Sequence, residues 1–185
     1  MNIAHIEETS LIYGPGIRFV IWVQGCSIHC KGCWNKEMWS FKTKSQYSIE
    51  KLISKIKETK NIEGVTFLGG EPFDQYKELL LLVKEINKIN LSIVLYTGYE
   101  IFELKQCDKT EIFNYIDILI SGRFIENFKT MQGGLIGSSN QDIIFFSNKY
   151  TTKDIPDFNE NEISIEDNGK VIIYGYETND LGNII

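Results

Sequence analysis

Histidine is nearly missing from this 185-residue chain, which has only His5 and His29. Neither has a partner at a spacing that suggests a general base or an imidazole-held metal, and chemistry resting on histidine is not indicated. Cysteine is scarce too, and badly spread for two disulfides: of four, Cys26, Cys30 and Cys33 fall within eight residues while Cys107 stands alone. No stretch approaches the ~20 uncharged apolar residues that a membrane-crossing helix requires. The start of the chain, Met1 to Glu8, lacks the basic and then apolar regions of a secretory leader, so a cytoplasmic protein is expected. Positive charge is not in excess either: 19 Lys and Arg against 25 Asp and Glu leave a net charge of −6. Lysines interleaved with glutamates do not make the clustered cationic surface that holds a phosphate backbone, which argues against a nucleic-acid partner. Internal repeats and low-complexity tracts are also absent.

What is there suits one globular domain. With 43% apolar and 12% aromatic residues, a chain of this size can bury roughly 70% of its unfolded surface. Apolar, β-branched runs at Arg18 to Gln24, Gly64 to Leu68, Ser92 to Tyr96 and Ile116 to Ile120 read as buried strands. Between them, helical spacing predicts helices from Ser48, placed as a cap, to about Lys60, and from Asp74, also placed as a cap, to about Asn90. A less regular helical stretch covers Ile101 to Asn114. This β, α, β, α, β, α, β order predicts an α/β fold with a parallel sheet covered by helices, in which ligands sit at the carboxyl ends of the strands. Four segments follow strands and are candidate site segments: Cys26 to Cys33, Gly69 to Pro72, Thr97 to Tyr99 and Ser121 to Arg123. Beyond residue 147 the chain turns polar and acidic, and Asp167-Asn168-Gly169 between two alternating runs predicts a β-hairpin. Residues 1–147 are therefore expected to form the core, with 148–185 a linker and hairpin extension of the same domain.

Cys26-x3-Cys30-x2-Cys33 offers three thiolates from one loop, enough to hold three irons of a [4Fe-4S] cube while the fourth stays open to another ligand. Three other readings compete. A structural zinc site needs a fourth ligand, for which His29 or His5 would have to serve. A dithiol redox pair at Cys30 and Cys33 leaves Cys26 surplus. A closed electron-transfer cluster needs Cys107, which reads as a structural residue of the helical stretch.

Cys26-x3-Cys30-x2-Cys33 followed by Gly69-Gly70-Glu71-Pro72 at the end of the next strand resembles the radical S-adenosylmethionine (SAM) superfamily. More narrowly, Gly14-Pro15-Gly16-Ile17-Arg18, Gln24-Gly25-Cys26, Gly32-Cys33-Trp34-Asn35, Tyr96-Thr97-Gly98-Tyr99, Gly122-Arg123-Phe124 and Gly137-Ser138-Ser139-Asn140-Gln141 resemble the activating proteins of anaerobic ribonucleotide reductase, over about residues 12–146. The resemblance implies a partial, incomplete parallel α/β barrel and an oxygen-sensitive oxidoreductase. In such enzymes a cluster with SAM on its open iron accepts an electron and cleaves SAM to methionine and a 5′-deoxyadenosyl radical, which removes a hydrogen atom from a partner's glycine. It implies Cys26, Cys30 and Cys33 as iron ligands. Gly69 and Gly70 would let the backbone approach SAM, Glu71 would accept from its ammonium, Trp34 would line the adenine region, and Thr97 would sit on the ligand rim. Arg123 reads either as a partner for a carboxylate of SAM or of another chain or as a solvated loop arginine, and Ser138 to Gln141 would shape the rim. The implied partners are a glycyl-radical reductase as protein substrate and a flavodoxin or ferredoxin-type electron donor. Two departures mark this chain: Ser121 stands where the activase pattern has an aspartate, and 148–185 extends past the compact activase length. The alternative is a small radical SAM enzyme acting on a peptide or small molecule; a cluster-binding protein without turnover has no use for Glu71 beside Gly69-Gly70.

Overall fold

A computed structural model of the chain describes residues 1–165, 169 and 171–175. In chain order the elements are β1 (Asn2–Ser10), β2 (Arg18–Val23), β3 (Ser45–Gln46), α1 (Ile49–Glu58) and β4 (Gly64–Gly69). There follow α2 (Tyr76–Lys88), β5 (Ser92–Thr97), α3 (Ile101–Gln106), β6 (Ile118–Ser121), β7 (Asp142–Phe145), β8 (Asn161–Ile165) and β9 (Val171–Gly175). Among the described residues no helix is long and apolar enough to cross a membrane.

The expected parallel strands are present as neighbours β2-β4-β5-β6, paired in register from Arg18↔Gly64 to Thr97↔Ser121. They are the middle of a seven-stranded mixed sheet, ordered β3-β1-β2-β4-β5-β6-β7. Among the described residues the sheet is open: β3 and β7 are its edges, and no closed barrel forms. The outer strands β3, β1 and β7 join antiparallel, which corrects the expectation of a parallel sheet alone. The register of β1 against β2 slips between Ile3 and His5 and again between Glu7 and Ser10. Each slip reverses which side chains face inward, and so the period-two signal of this strand is lost in the sequence.

All four parallel strands are buried on both faces, which is why they read as unbroken apolar runs. Phe19, Ile21, Val65, Phe67, Ile93 and Leu95 pack against Leu52 and Ile56 of α1, Leu79, Leu82 and Ile86 of α2, and Leu104 of α3. Alternate strand residues face the other side, where Val20, Trp22 and Leu68 meet Met38, and Val94, Ile118 and Ile120 meet Leu135. The helices thus cover one face; loops cover the other, and there the site is built.

Ser48 caps α1 as expected, its hydroxyl accepting from the Lys51 amide at 3.2 Å, although the helix stops at Glu58. Asp74 does not cap α2. It lies in a 3-10 turn, Pro72–Gln75, and α2 begins after Gln75. The stretch expected to be helical from Ile101 to Asn114 is broken in two: Cys107 ends α3, Asp108 takes a positive φ of 54°, and a 3-10 turn follows at Glu111–Asn114. Cys107 is exposed. Strands β8 and β9 pair antiparallel as the expected hairpin, while Asp167 and Asn168 of its turn lie outside the described residues. Polar side chains dock this hairpin on the N-terminal strands: the Tyr174 hydroxyl donates to Glu7 at 2.7 Å and is 3.0 Å from His5 Nε2, and Tyr13 accepts from the Gly175 amide at 3.0 Å.

Candidate functional site

The carboxyl ends of β2, β4, β5 and β6 open on one cavity, and all eight residues expected to hold cluster or cofactor line it: Cys26, Cys30, Cys33, Trp34, Gly69, Gly70, Glu71 and Thr97. The cysteine loop leaves β2 and is tied back to it by backbone bonds from Gly25 N to Met38 O (2.8 Å) and from Cys26 N to Trp39 O (3.1 Å). Within it Gly32, at φ +76°, turns the chain so that Cys33 N reaches Cys30 O at 3.1 Å. Each thiol meets backbone N–H groups. Cys26 accepts from Ile28 and His29, Cys30 from Phe124 beyond β6, and Cys33 from Asn35 at 3.4 Å. Burial pushes the thiols of Cys26 and Cys30 up, and these amides pull them back toward the thiolate. Among the described residues no three His, Cys, Asp or Glu side chains gather closely enough to share one metal ion. A mononuclear zinc site requires that convergence, whereas thiolates on separate irons of a cube do not. His29 is turned aside, its ring stacked on Trp39 at 4.7 Å.

Glu71 faces the thiols from the end of β4 and is 1% exposed. Its Oε1 accepts from Phe73 N and from the Thr97 hydroxyl, each at 2.9 Å, and its Oε2 from Gly98 N at 2.8 Å. Thr97 therefore acts on the site through Glu71. All three donors are neutral, and burial raises the Glu71 carboxyl to about 7 despite them. A cationic group entering the cavity would restore the carboxylate, so the residue fits a ligand ammonium. Since folded Glu71 titrates near 7 rather than 4.5, its contribution to stability is complete below pH 4.5 and is lost as pH rises through 7, about 3 kcal/mol in all. Urea unfolding of metal-free protein at pH 5 and pH 8 should show this loss in the wild type and a smaller one in Glu71→Gln; equal losses would show that another group is responsible.

The glycines also serve the packing of the strand ends. A Cβ on Gly70 would stand 2.1 Å from the Gly25 carbonyl oxygen, and one on Gly69 2.8 Å from the Trp22 Cα. Their missing side chains let β4 pass against β2 and the cysteine loop, and both glycines also line the cavity. Gly70→Ala should thus cost on the order of 1–3 kcal/mol by forcing two backbones apart, measurable as a lower urea midpoint.

Arg123 is likewise engaged within the chain. Its guanidinium makes a two-pronged pair with Glu103, Nη1–Oε2 2.7 Å and Nη2–Oε1 2.8 Å. Ser121 closes the β5–β6 ends by donating to Tyr99 O at 3.0 Å. Gln141 braces the rim, accepting from the Gly137 and Ser138 amides and donating to Gly122 O at 2.9 Å. Residues not singled out from the sequence complete the walls: Tyr13 and Trp22 add aromatic surface, and Asn159, Glu160 and Gly175 come from the C-terminal extension, while Trp34 packs on Phe124 of the Gly122-Arg123-Phe124 motif with ring centres 5.4 Å apart.

A 4Fe-4S single cluster domain matches residues 12–144 of this chain. A protein of Vibrio cholerae named anaerobic ribonucleoside-triphosphate reductase-activating protein is 32% identical over 155 residues, spanning 80% of this chain and 99% of that protein. The chain belongs to this family. Two further anaerobic ribonucleoside-triphosphate reductase-activating proteins, from Haemophilus influenzae and Enterobacteria phage T4, are 32% and 30% identical, covering 76% of this chain in each case and 96% and 92% of their own lengths. The 4Fe-4S match ends at residue 144, before the β8–β9 hairpin, whose Gly175 lines the cavity.

Proposed function

We propose that this chain is a radical SAM activase that installs a glycyl radical on anaerobic ribonucleoside-triphosphate reductase, working in the cytoplasm with a flavodoxin or ferredoxin-type electron donor. The observation that carries the reading is the meeting of three amide-bonded thiols with a buried, cation-seeking carboxylate in one cavity at the ends of parallel strands. On this reading the open sheet is the partial barrel of the superfamily, with residues 1–147 its core.

Cys26, Cys30 and Cys33 hold a [4Fe-4S] cluster, and the amides of Ile28, His29, Phe124 and Asn35 stabilise their thiolate form. Cluster and SAM together supply reductive cleavage to a 5′-deoxyadenosyl radical. Glu71 receives the ammonium of SAM with its remaining lone pairs, and Thr97 and Gly98 fix the carboxylate's direction. Gly69 and Gly70 hold the strand end against the cluster loop and so set the distance between Glu71 and Cys26. Trp34 and Phe124 offer the flat apolar surface that an adenine ring requires. Apolar walls at Leu68, Ile12 and Leu135 keep water from the reacting atoms.

Electron paramagnetic resonance on anaerobically reconstituted protein, mixed with SAM, a reductant and the organism's anaerobic reductase, tests the proposal. A glycyl-radical doublet on the reductase that requires SAM and all three cysteines is the expected result. A cluster signal that changes on adding SAM, with no doublet, would move the substrate to a peptide or small molecule.

A further inference from the structure

Asp74, freed from the capping role expected of it, points at the cysteine loop. Its Oδ2 accepts from the Ser27 amide at 2.6 Å, and its Oδ1 from the Ser27 hydroxyl at 2.8 Å and the Tyr99 hydroxyl at 3.4 Å. The Tyr99 and Ser27 hydroxyls are themselves 3.0 Å apart. Three segments that leave the sheet from β2, β4 and β5 thus meet on one carboxylate, one residue past Cys26. The turn carrying it is fixed from behind. Asp74 N donates to Glu71 O at 3.0 Å, and Lys109 Nζ donates to Phe73 O at 2.9 Å while standing over the rings of Tyr76 and Tyr99.

We propose that Asp74 is a positioning residue of the cluster site, one that fixes Ser27 and through it the direction of the Cys26 thiol, and that sets a carboxylate charge beside the first iron ligand. This rests on the reading of Cys26 as a ligand. Three features make the clamp directional. It grips a main-chain N–H, so it constrains the backbone that carries the thiol. It uses both carboxylate oxygens as acceptors, and an amide side chain can keep the Ser27 N bond only as an uncharged one, with its nitrogen donating to the Ser27 hydroxyl instead. Its charge also lies where an added electron would be repelled, which holds a cluster's reduction potential down. The other charged groups near it are Glu71 on the same turn, with Lys109 and Arg123 each over the Tyr99 ring.

The test has two readouts. In metal-free, 15N-labelled protein, hydrogen exchange of the Ser27 amide should be roughly tenfold faster in Asp74→Asn, the factor that a charge-assisted hydrogen bond supplies, while the Phe67 and Leu95 amides in the sheet are unchanged. Tyr99→Phe, which removes only a hydroxyl, should shift Ser27 in the same direction by less, and it carries the comparison should Asp74→Asn not fold. In reconstituted protein the cluster's midpoint potential should rise in Asp74→Asn and return toward wild type in Asp74→Glu. Unchanged Ser27 exchange overturns the positioning role, and an unchanged potential overturns the electrostatic one. A wild-type chain that takes up no cluster overturns the ligand reading instead, and the exchange comparison on metal-free protein still decides the clamp.

Discussion

Alanine at Cys26, Cys30 or Cys33, one position at a time, should reduce SAM cleavage to background and leave the reconstituted protein short of iron, while Cys107→Ala should match the wild type in both. The asymmetry follows from placement. The three thiols line one cavity and each has its own backbone amide, so loss of one leaves a gap that no neighbouring side chain is placed to fill. Cys107 is exposed at the end of α3 and does not line that cavity. His29 lies in the loop itself but is stacked on Trp39. Cys26 should be the most severe of the three, because it is 8% exposed and its loop is pinned by both the Met38 and Trp39 carbonyls, leaving no slack for a substitute ligand. Iron content, visible absorption and release of 5′-deoxyadenosine and methionine measure the outcome. A single cysteine variant with wild-type turnover would falsify the ligand assignment.

The parts of the molecule that could be read from the sequence are those where local pattern and global role agree. Val20, Ile21, Trp22 and Val23 are apolar in succession because both faces of β2 are covered, and that continuity announced a central parallel strand. The same continuity concealed which face the helices take. With Phe19 and Val20 both apolar, nothing local separates the helix side from the site side. Strand β1 went unread for the opposite reason, since its two register slips put polar and apolar residues out of phase.

At the site, the cysteine spacing and the glycine-glycine-glutamate turn were legible as motifs, yet the physical duty of the glycines was not. Nothing in the order of residues says that Gly70 lies against the Gly25 carbonyl. Asp74 was read from its helix-side neighbours, although its partners are Ser27 and Tyr99, 47 and 25 residues away. The hairpin was visible as two alternating runs about an Asn-Gly pair, but its docking on His5 and Glu7 depends on contacts across more than 160 residues. Local periodicity carries no information at that range.

The largest expected loss of stability lies at the opposite end of the strands from the cysteines, at Arg18. This side chain is 0% exposed, and its guanidinium donates to Val65 O at 2.8 Å, Ser92 O at 3.1 Å, Pro15 O at 3.3 Å, and the hydroxyls of Thr66 and Ser92. Every one of these acceptors is uncharged. Burial pulls the guanidinium down from its ordinary value, but that value is so high that it stays protonated. Arg18→Met keeps much of the apolar length and removes every donor. The Thr66 and Ser92 hydroxyls retain bonds to Tyr13 O and Glu63 O, so the loss falls on the buried carbonyls of Val65 and Ser92 and on the space that the fork occupied. That should cost on the order of 3–5 kcal/mol, read as a fall in urea midpoint of metal-free protein; a loss under about 1 kcal/mol would mean that water replaces the guanidinium. The effect should reach the site through register. Arg18 pairs with Gly64, whose absent Cβ would sit 2.2 Å from Nη1, and the same two strands run on to Val23 and Gly69, where the cysteine loop and the Glu71 turn begin. Arg18→Lys supplies one donor group without the fork, so it should recover part of the stability while leaving the β2–β4 register less firmly held than arginine does.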